Sequence, residues 1–360
     1  MIKAALISRS SLYTVPGGDT IQMVKTAEEL NKLGVKADVF LAAENIDYDK
    51  YDLLHFFNIT RPADHLMHIR RSKKPYVVST VYLDYTDFDR NGRSLFHRAF
   101  FRALGKYRSE YLKNLYRYSR RQDRMVSPGY LAGHRRAMVK ILNGVSLILP
   151  NSESEYRRVV ADTGFTGQYA VIPNGIDTDS FSRIPVSVRR ERKVVCVAQV
   201  YGMKNQHLLI HACRKLNVPL EIIGKAPPNH TRYYEQCRRI AGSQVRFYDY
   251  MPQQELLIHY AGAKVHALPS WFETTGLTSL EAGAMGCNLV VGKGGDTYDY
   301  FKDLAWYCSA GDRESIETAL ENALGEENDS RLREHILLEF TWNKAAEKTK
   351  EAYIKALNGQ

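Results

Sequence analysis

The sequence of 360 residues predicts an α/β protein with two Rossmann-like domains. Two series of short apolar runs, typical of buried parallel strands, predict this fold class, and most of these runs are separated by segments of helix length. The chain length also suits two domains of ordinary size. Hydrophobic residues make up 44% of the chain and charged residues 25%, which excludes a disordered chain and a polytopic membrane protein.

The predicted strands follow one another in chain order within each domain. The first six are the runs IKAALIS, KADVFL, YDLLHFF, PYVVST, VSLILP and YAVIP. The second six are KVVCVAQV, PLEIIG, VRFYDY, KVHALPS, NLVVG and LAWYC. Between the two series, a proline and a cluster of charges in RIPVSVRRERK interrupt any periodicity. We therefore expect a first domain at 1–182 and a second at 183–341.

The amino terminus and the cysteines indicate the cellular compartment of the protein. Too few apolar residues precede Ser8 and Arg9 for the apolar core of a secretory signal, and no run approaches the length of a spanning helix. The five cysteines are odd in number and include no CxxC pair or metal-ligand spacing. These features predict a cytoplasmic protein with reduced thiols.

The positive charge is concentrated in one segment of the first domain. Lysine and arginine exceed aspartate and glutamate by ten over the whole chain, and residues 85–140 contain 14 basic and 4 acidic residues, the same excess. Within this segment, 93–124 mixes aromatic and basic residues in a helical pattern and is predicted as an insertion. It suits an anionic partner, either nucleic acid or lipid phosphate. The alternative is a long helix that packs its apolar stripe on the domain.

Two positions in the first domain are candidates for ligand contact. The segment PGGDTIQM, Pro16–Met23, places Gly18 between a strand and a helix, where free amides can bind phosphate oxygens. A tight turn between strand and helix explains the same glycines. His55 ends a predicted strand at the expected ligand edge, and a packed core histidine is the alternative there.

The strongest motif is WFETTGLTSLEAGAMG, Trp271–Gly286, which follows a predicted strand. Glu273 lies in the loop, Gly276 begins the helix, and Glu281 lies about one turn inside it. A carboxylate in the loop can hold sugar hydroxyls, the amides at the helix start can hold a diphosphate, and Glu281 can accept from a ribose hydroxyl. The alternative is a capped amphipathic helix with two solvated glutamates.

The Glu-x7-Glu spacing of Glu273 and Glu281 resembles that of retaining glycosyltransferases of family 4, which have the GT-B fold. Other segments of the chain are similar to that family in the same order. They are VIPNGIDTDSF, LEIIG, the Pro269–Ser270 pair, GGDTYDYF and FTWNKAAEKTKEAY. The resemblance implies two Rossmann-like domains that face a central cleft, with a last helix at about 342–360 that crosses back to the first domain.

The resemblance also implies roles for individual residues. Glu273 and Lys204 are the expected catalytic residues. The expected donor-binding residues are Gly18, Gln199, Gly224, Thr275, Gly276, Leu277, Thr278 and Glu281. The family usually has an arginine where this sequence has Gln199, so Arg9, Lys225 or Lys293 is expected to supply the missing charge. Tyr82 stands where similar proteins often carry a histidine, and with His55 it is a candidate contact for the acceptor or sugar.

The expected function is transfer of a hexose-type sugar from a UDP-sugar or GDP-sugar to a glycan or lipid-linked acceptor, in cell-surface polysaccharide or glycoconjugate assembly. The expectation includes no cofactor and no metal, because the three Asp-x-Asp triplets are too short a pattern to assign one. No nucleic-acid partner is expected. A peripheral contact of 93–124 with an anionic membrane at the cytoplasmic face is expected.

Three alternatives remain open on the sequence alone. The basic segment could make the protein a nucleic-acid or anionic-lipid binding protein. A sugar-nucleotide epimerase or hydrolase could use the same fold, although it would need an acid and base set beyond the two glutamates. The departures at Gln199 and Tyr82 also suit a catalytically silent partner subunit.

Overall fold

The computed structural model describes residues 1–93, 95–119, 128–181 and 190–359. The chain groups into two compact units. The first contains Met1–Leu83, Ala99–Asn174 and Trp342–Gln360, and the second contains Asp84–Arg98 and Gly175–Thr341. The domain boundary that the sequence predicts between residues 182 and 183 lies outside the described residues, as do residue 94 and residues 120–127 of the basic segment 85–140.

The first unit contains a parallel sheet of five strands in the order β2-β1-β3-β4-β5. The strands are β1 (Lys3–Ser8), β2 (Lys36–Leu41), β3 (Leu53–Phe57), β4 (Tyr76–Ser79) and β5 (Leu147–Ile148). The central strands are continuous apolar runs because helices cover both faces of the sheet. The helices that follow in the chain are α1 (Gly18–Lys32), α2 (Pro62–Ser72), α3 (Leu95–Ser119), α4 (His134–Leu142) and α5 (Glu153–Thr163).

The sixth predicted strand of this unit, YAVIP, does not form a regular strand. Its backbone runs beside β5, where the amide of Ala170 donates to the carbonyl of Ile148 at 3.0 Å and the amide of Ile172 donates to Pro150 at 2.9 Å. Only an isolated bridge, Ile148 to Tyr169, results. Pro150 has no amide hydrogen to donate in return, so the ladder cannot continue.

The basic helix α3 is kinked within its predicted length. Gly105 has φ 69° and ψ 170°, values outside the helical region, so two helical stretches meet at this residue. Lys106, the next residue, forms an ion pair with Asp162 at 2.5 Å, and Lys113 pairs with Glu110 at 2.6 Å. Part of the positive charge of α3 is therefore neutralised within the first unit.

A buried carboxylate joins two strand ends of the first sheet. Glu155 of α5 is fully buried, and its Oε1 accepts hydrogen bonds from the Thr80 hydroxyl and, at 2.8 Å, from the Tyr82 amide. Its Oε2 accepts from the Asn151 amide at 3.1 Å. Glu155 thus links the backbone after β4 to the backbone after β5.

The second unit contains six parallel strands in the order β11-β10-β9-β6-β7-β8. They are β6 (Glu191–Val197), β7 (Leu220–Ile223), β8 (Val245–Tyr248), β9 (Ala263–Leu268), β10 (Asn288–Gly292) and β11 (Trp306–Cys308). All six correspond to predicted runs. The helices of this unit are α6 (Thr178–Phe181), α7 (Gln206–Lys215), α8 (Thr231–Ile240), α9 (Gln253–Gly262), α10 (Leu277–Ala284), α11 (Thr297–Phe301), α12 (Arg313–Gly325) and α13 (Arg331–Glu339).

The last helix, α14 (Trp342–Asn358), packs in the first unit against α1. Tyr353, fully buried on α14, reaches His55 of β3, and Lys350 donates to the carbonyl of Leu33 at the end of α1. The two parallel sheets and the position of α14 confirm the predicted α/β class with two Rossmann-like domains.

All five cysteines are buried free thiols. Burial raises the pKa of Cys196, Cys237, Cys287 and Cys308 to about 12, and it also raises the pKa of Cys213. They are packing residues of the second unit.

None of the helices within the described ranges combines the length and the apolar composition that a membrane-spanning segment needs.

We expect Glu155→Ala to lower the free energy of unfolding by about 3 kcal/mol, because three donors in the buried interior lose their acceptor. Glu153→Ala is the matched control: Glu153 lies in the first turn of the same helix but is exposed, so its loss should cost less than about 1 kcal/mol. Urea-induced unfolding measures both. Equal effects of the two substitutions would contradict the anchoring role of Glu155.

Candidate functional site

The candidate site lies at the carboxyl edge of the second sheet, where the direction of strand order changes. After β6 the chain continues to β7 and β8 on one side, and it then returns so that β9 pairs with the other side of β6. In open parallel sheets, ligands bind outside the carboxyl ends of two strands that flank such a point. Lys204 lies in the loop after β6, and Glu273 lies in the loop after β9.

Lys204 and Glu273, the two expected catalytic residues, form an ion pair at this edge. The Lys204 Nζ lies 2.5 Å from Oε1 of Glu273, and the two side chains are 19% and 10% exposed. Burial lowers the pKa of Lys204, but the Glu273 carboxylate raises it, and the net shift is upward. The ammonium group therefore stays protonated at neutral pH.

Asn205 and Trp271 fix the positions of the two loops relative to each other. Asn205 has φ 60°, a left-handed conformation that asparagine tolerates, and its side-chain amide donates to the carbonyls of Pro269 at 3.2 Å and Ala310 at 2.8 Å. The Trp271 amide donates to the Met203 carbonyl at 2.9 Å. Asn205 was not identified from the sequence, although an asparagine directly after Lys204 was a usable signal.

Glycines after β10 allow the Glu273 loop to lie directly against the next loop of the sheet. A Cβ on Gly294 would lie 1.9 Å from the Trp271 carbonyl oxygen, and a Cβ on Gly295 would lie 2.0 Å from that of Glu273. The Glu273 amide donates to the Gly294 carbonyl at 3.1 Å, and the Asp296 amide donates back to Glu273 at 2.8 Å. The GG pair therefore positions the backbone of Glu273.

The start of α10 carries the expected diphosphate-binding residues. Gly276 has φ 73° and caps the helix, and Leu277 and Thr278 are its first two residues. Amides in the first turn of a helix have no acceptor within the helix, and the helix dipole places partial positive charge there. Thr275 lies just before this turn, buried, with its hydroxyl 3.1 Å from the Tyr300 hydroxyl. These four residues lie two to five positions after Glu273 in the chain.

Glu281 lies one turn into α10 and is held by two neighbours. Its Oε1 accepts from the Gln253 side chain at 2.7 Å, and its Oε2 accepts from the Tyr260 hydroxyl at 3.1 Å. Burial raises the pKa of Glu281, although the two hydrogen bonds oppose the shift. The carboxylate is fixed in orientation, as a group that accepts from a ligand hydroxyl should be. Neither Gln253 nor Tyr260 was identified from the sequence.

Gln199 and Gly224 lie at the ends of neighbouring strands of the same edge. Gln199 follows β6 and is exposed, and Gly224 follows β7. A Cβ on Gly224 would lie 2.1 Å from the Ala198 carbonyl oxygen, so this close approach of two backbones requires glycine. Lys225 and Lys293, two of the expected compensating cations, are exposed at this edge, after β7 and β10 respectively.

Gly18 and Arg9 lie in the first unit. Gly18 was expected between a strand and a helix; it is the first residue of α1, and it is exposed. Arg9, the third expected cation, forms an ion pair with Asp19 at 2.7 Å, and its other guanidinium nitrogens donate to the carbonyls of Ser11 and Val15. The guanidinium therefore shapes the loop before α1, and all three of its nitrogens have protein partners.

The structure places His55 and Tyr82 in the core of the first unit. His55 is 1% exposed, and its ring nitrogens lie 2.7 Å from the Tyr353 hydroxyl and 2.8 Å from the Ser79 hydroxyl. Burial lowers its pKa to about 3, so the ring is neutral. This is the packed core histidine that the sequence analysis left open, and the structure corrects the expectation of a sugar contact.

Tyr82 requires the same correction for the same physical reason. It is 1% exposed, and its hydroxyl donates to the Asp162 carboxylate at 2.6 Å. Burial raises the pKa of Tyr82, and the bond to Asp162 raises it further. The Tyr82 hydroxyl is therefore hydrogen-bonded within the first unit. Within the described residues, no three His, Cys, Asp or Glu side chains lie together as potential metal ligands.

Residues 177–336 match the family model described as glycosyl transferases group 1. This match supports a glycosyltransferase family. The matched segment contains Lys204, Glu273 and all of α10, so the residues of the candidate site fall within the glycosyltransferase match. Comparison with curated proteins gives no match.

Solved glycosyltransferases of the GT-B fold share the architecture of the chain. A sucrose-phosphate synthase from Thermosynechococcus elongatus matches with a TM-score of 0.77 at 14% identity, over 100% of both chains. HepE from Anabaena, solved with UDP and glucose, matches with a TM-score of 0.68 at 14% identity, over 98% of this chain and 100% of its own. The catalytic domain of starch synthase IV from Arabidopsis thaliana, bound to ADP and acarbose, matches with a TM-score of 0.65 at 13% identity, over 99% of each chain. At these identities the likeness establishes the fold.

We expect Gly294→Ala to lower the free energy of unfolding by about 2 kcal/mol or more, because the added methyl group meets a backbone carbonyl that cannot rotate away. Gly325→Ala is the matched control, because a Cβ at Gly325, the last residue of α12, would meet no atom within 4 Å. Its substitution should be neutral or stabilise by up to about 1 kcal/mol. Urea-induced unfolding compares the two variants. A Gly294 variant as stable as the Gly325 variant would show that the two loops are not in contact.

Proposed function

We propose that the protein transfers a hexose from a nucleotide diphosphate sugar to a hydroxyl group of a glycan or lipid-linked acceptor, with retention of the anomeric configuration. The observation that carries this proposal is the Lys204–Glu273 ion pair, at a strand-order switch point and beside the amide end of α10. The family match over the same segment supports it. Cell-surface polysaccharide or glycoconjugate assembly would use such a transfer.

The donor is proposed to be a UDP-sugar or a GDP-sugar. Structures of the same fold that were solved with UDP and glucose, and with ADP, support a nucleoside diphosphate as the leaving group. In this proposal the amides of Gly276, Leu277 and Thr278 hold the diphosphate, and Glu281 accepts from the ribose. Gln199 and Gly224, at the ends of β6 and β7, border the nucleotide.

In the proposed reaction, the bond between the anomeric carbon and the diphosphate oxygen breaks, and the acceptor hydroxyl oxygen bonds to the same carbon on the same face. The hydroxyl proton passes to the departing diphosphate oxygen. Lys204 stabilises the negative charge that grows on the diphosphate, together with the amide end of α10. Glu273 orients the donor sugar and keeps the pKa of Lys204 high.

The proposal includes no metal and no organic cofactor. In this scheme Lys204 and the helix amides stabilise the charge of the leaving group. Position 199 is a glutamine and not an arginine, and Lys225 and Lys293, exposed at the same sheet edge, are proposed to supply the missing positive charge. An assay with and without a chelator distinguishes this scheme from one that needs a divalent cation.

The acceptor is proposed to be presented at an anionic membrane surface, which the protein contacts peripherally from the cytoplasmic side through 93–124. Arg108, Leu112 and Tyr116 of α3 are spaced four residues apart and therefore lie on one helix face, and all three are exposed. A face with aromatic, aliphatic and basic side chains suits the interface of an anionic bilayer.

We expect Lys204→Ala and Glu273→Ala each to lower sugar-transfer turnover by about a hundredfold or more, because each removes a charge that acts on the reacting groups. Lys348→Ala is the control for Lys204→Ala, since it removes a lysine charge from an exposed position on α14. Turnover is measured with a panel of UDP-sugars and GDP-sugars. Wild-type turnover in both folded site variants would refute the site.

We expect the wild-type protein to co-sediment with vesicles of phosphatidylglycerol and not with vesicles of phosphatidylcholine, because the basic segment is attracted to anionic head groups. The double variant Leu112→Ser, Tyr116→Ser should bind the anionic vesicles at least about threefold more weakly, since it loses apolar contact area. Leu338→Ser, at an exposed leucine on α13, is the matched control. Equal binding of the double variant and the control would overturn the membrane contact.

A further inference from the structure

Residues Asp84–Arg98 precede most of the basic helix in the chain, but they belong to the second unit. Within them, the helical turn Phe88–Gly92 contacts the turn Gly202–Lys204, which carries one of the two candidate catalytic side chains. This segment was expected to belong to the first domain, and the sequence motifs gave it no role in the site. Its contacts with the loops that carry Lys204 and Glu273 indicate that the segment has a role in the site.

The Phe88 side chain touches both loops that carry the candidate catalytic pair. Its ring is 7% exposed and lies 6.0 Å from the Trp271 ring, centroid to centroid, at an interplanar angle of 57°. On the other loop, a Cβ at Gly202 would lie 3.1 Å from Cζ of Phe88, so the ring edge lies directly over this glycine. Trp271 is two residues from Glu273, and Gly202 is two residues from Lys204.

The ring of Phe88 is itself held in place from its own segment. The Arg93 guanidinium lies 4.8 Å from the ring centroid, in the range of a cation–π contact, and Arg93 also forms an ion pair with Asp89. Gly92 gives the room for this packing, because a Cβ there would lie 2.3 Å from Phe88 and 2.9 Å from Trp271. The turn therefore presents Phe88 in one orientation.

A backbone hydrogen bond joins the two loops, from the Trp271 amide to the Met203 carbonyl, and Asn205 adds its side-chain bond to the Pro269 carbonyl. Phe88 adds an aromatic contact that spans the same two loops. We propose that Phe88 is a positioning residue that holds these loops so that Lys204 and Glu273 act together on one donor. This inference rests on the proposed function and extends it to a residue that does not touch the substrate.

The proposal is tested by the variants Phe88→Ala and Phe88→Leu in the chain of 360 residues. Phe247→Ala is the matched control, because Phe247 on β8 has a similar aromatic neighbour, Tyr234 at 5.6 Å, and a similar cation, Arg238 at 5.4 Å from its ring centroid. Turnover and the KM for the donor are measured per folded molecule. Acrylamide quenching of tryptophan fluorescence is measured with Trp306 and Trp342 replaced by phenylalanine in every variant, so that the signal reports the exposure of Trp271, whose ring contacts Phe88.

We expect Phe88→Ala to lower kcat about tenfold to a hundredfold with a smaller change in the KM for the donor, since a displacement of about 1 Å at a reacting group has effects of this size. Phe88→Leu should recover part of kcat. Acrylamide quenching should increase in Phe88→Ala, and Phe247→Ala should change neither kcat nor quenching. A merely structural role would lower the folded fraction and leave kcat per folded molecule unchanged.

Different results would overturn the proposed function and the role of Phe88. Wild-type protein without turnover on any nucleotide sugar would overturn the proposed function, and this inference with it. Wild-type turnover combined with an unchanged kcat in folded Phe88→Ala would overturn this inference alone. If Phe88→Ala does not fold, Phe88→Leu decides the question, because wild-type kcat in that variant, with wild-type quenching, would show that the ring is not needed.

Discussion

The strand order of the second sheet is the constraint on which the candidate site depends. Because β9 pairs with β6 and not with β8, the loops after β6 and β9 leave adjacent strand ends at one edge of the sheet. Lys204 and Glu273 come from these two loops, and no local feature of either loop could bring them together. Asn205, Trp271 and the glycines after β10 then restrict how far the loops can move.

The ion pair between Lys204 and Glu273 has already lost most of its contact with water when the protein folds. The cost of removing each charge from water is offset by the partner charge, as the raised pKa of Lys204 indicates. In the proposed reaction, the ammonium group therefore meets the diphosphate without first losing a full hydration shell. This is the physical meaning of preorganisation at such a site, since charged groups that are fixed beforehand need little rearrangement during the reaction.

Much of the fold followed from the sequence because its signals are local. Each of the six strands of the second sheet is a short apolar run that is visible without knowledge of its neighbours. The motif from Trp271 to Gly286 is local as well, and the structure places it directly after β9, as a loop followed by helix α10. The YAVIP run was misjudged because Pro150, on the neighbouring segment, lacks the amide that a ladder needs.

Side-chain roles that depend on distant partners could not be read in this way. His55 is a core residue because of Tyr353, which lies almost 300 positions later in the chain, and Tyr82 is a core residue because of Asp162. The contact of Phe88 with Trp271 joins segments that no periodic pattern connects. Asn205 differs from these residues because its left-handed backbone conformation depends on the residue type. Asparagine adopts positive φ more often than most residues, and this preference can be used with a single sequence.

The buried thiols have a practical consequence for work on this protein. A thiol whose pKa is raised to about 12 has almost no thiolate at neutral pH, and burial also keeps alkylating reagents away from it. The native chain is therefore a suitable background for site-specific labelling, with no cysteine replaced beforehand. One cysteine introduced on the surface of each unit would accept a spin label or a fluorophore selectively, and the distance between the labels could then be followed as a donor is added.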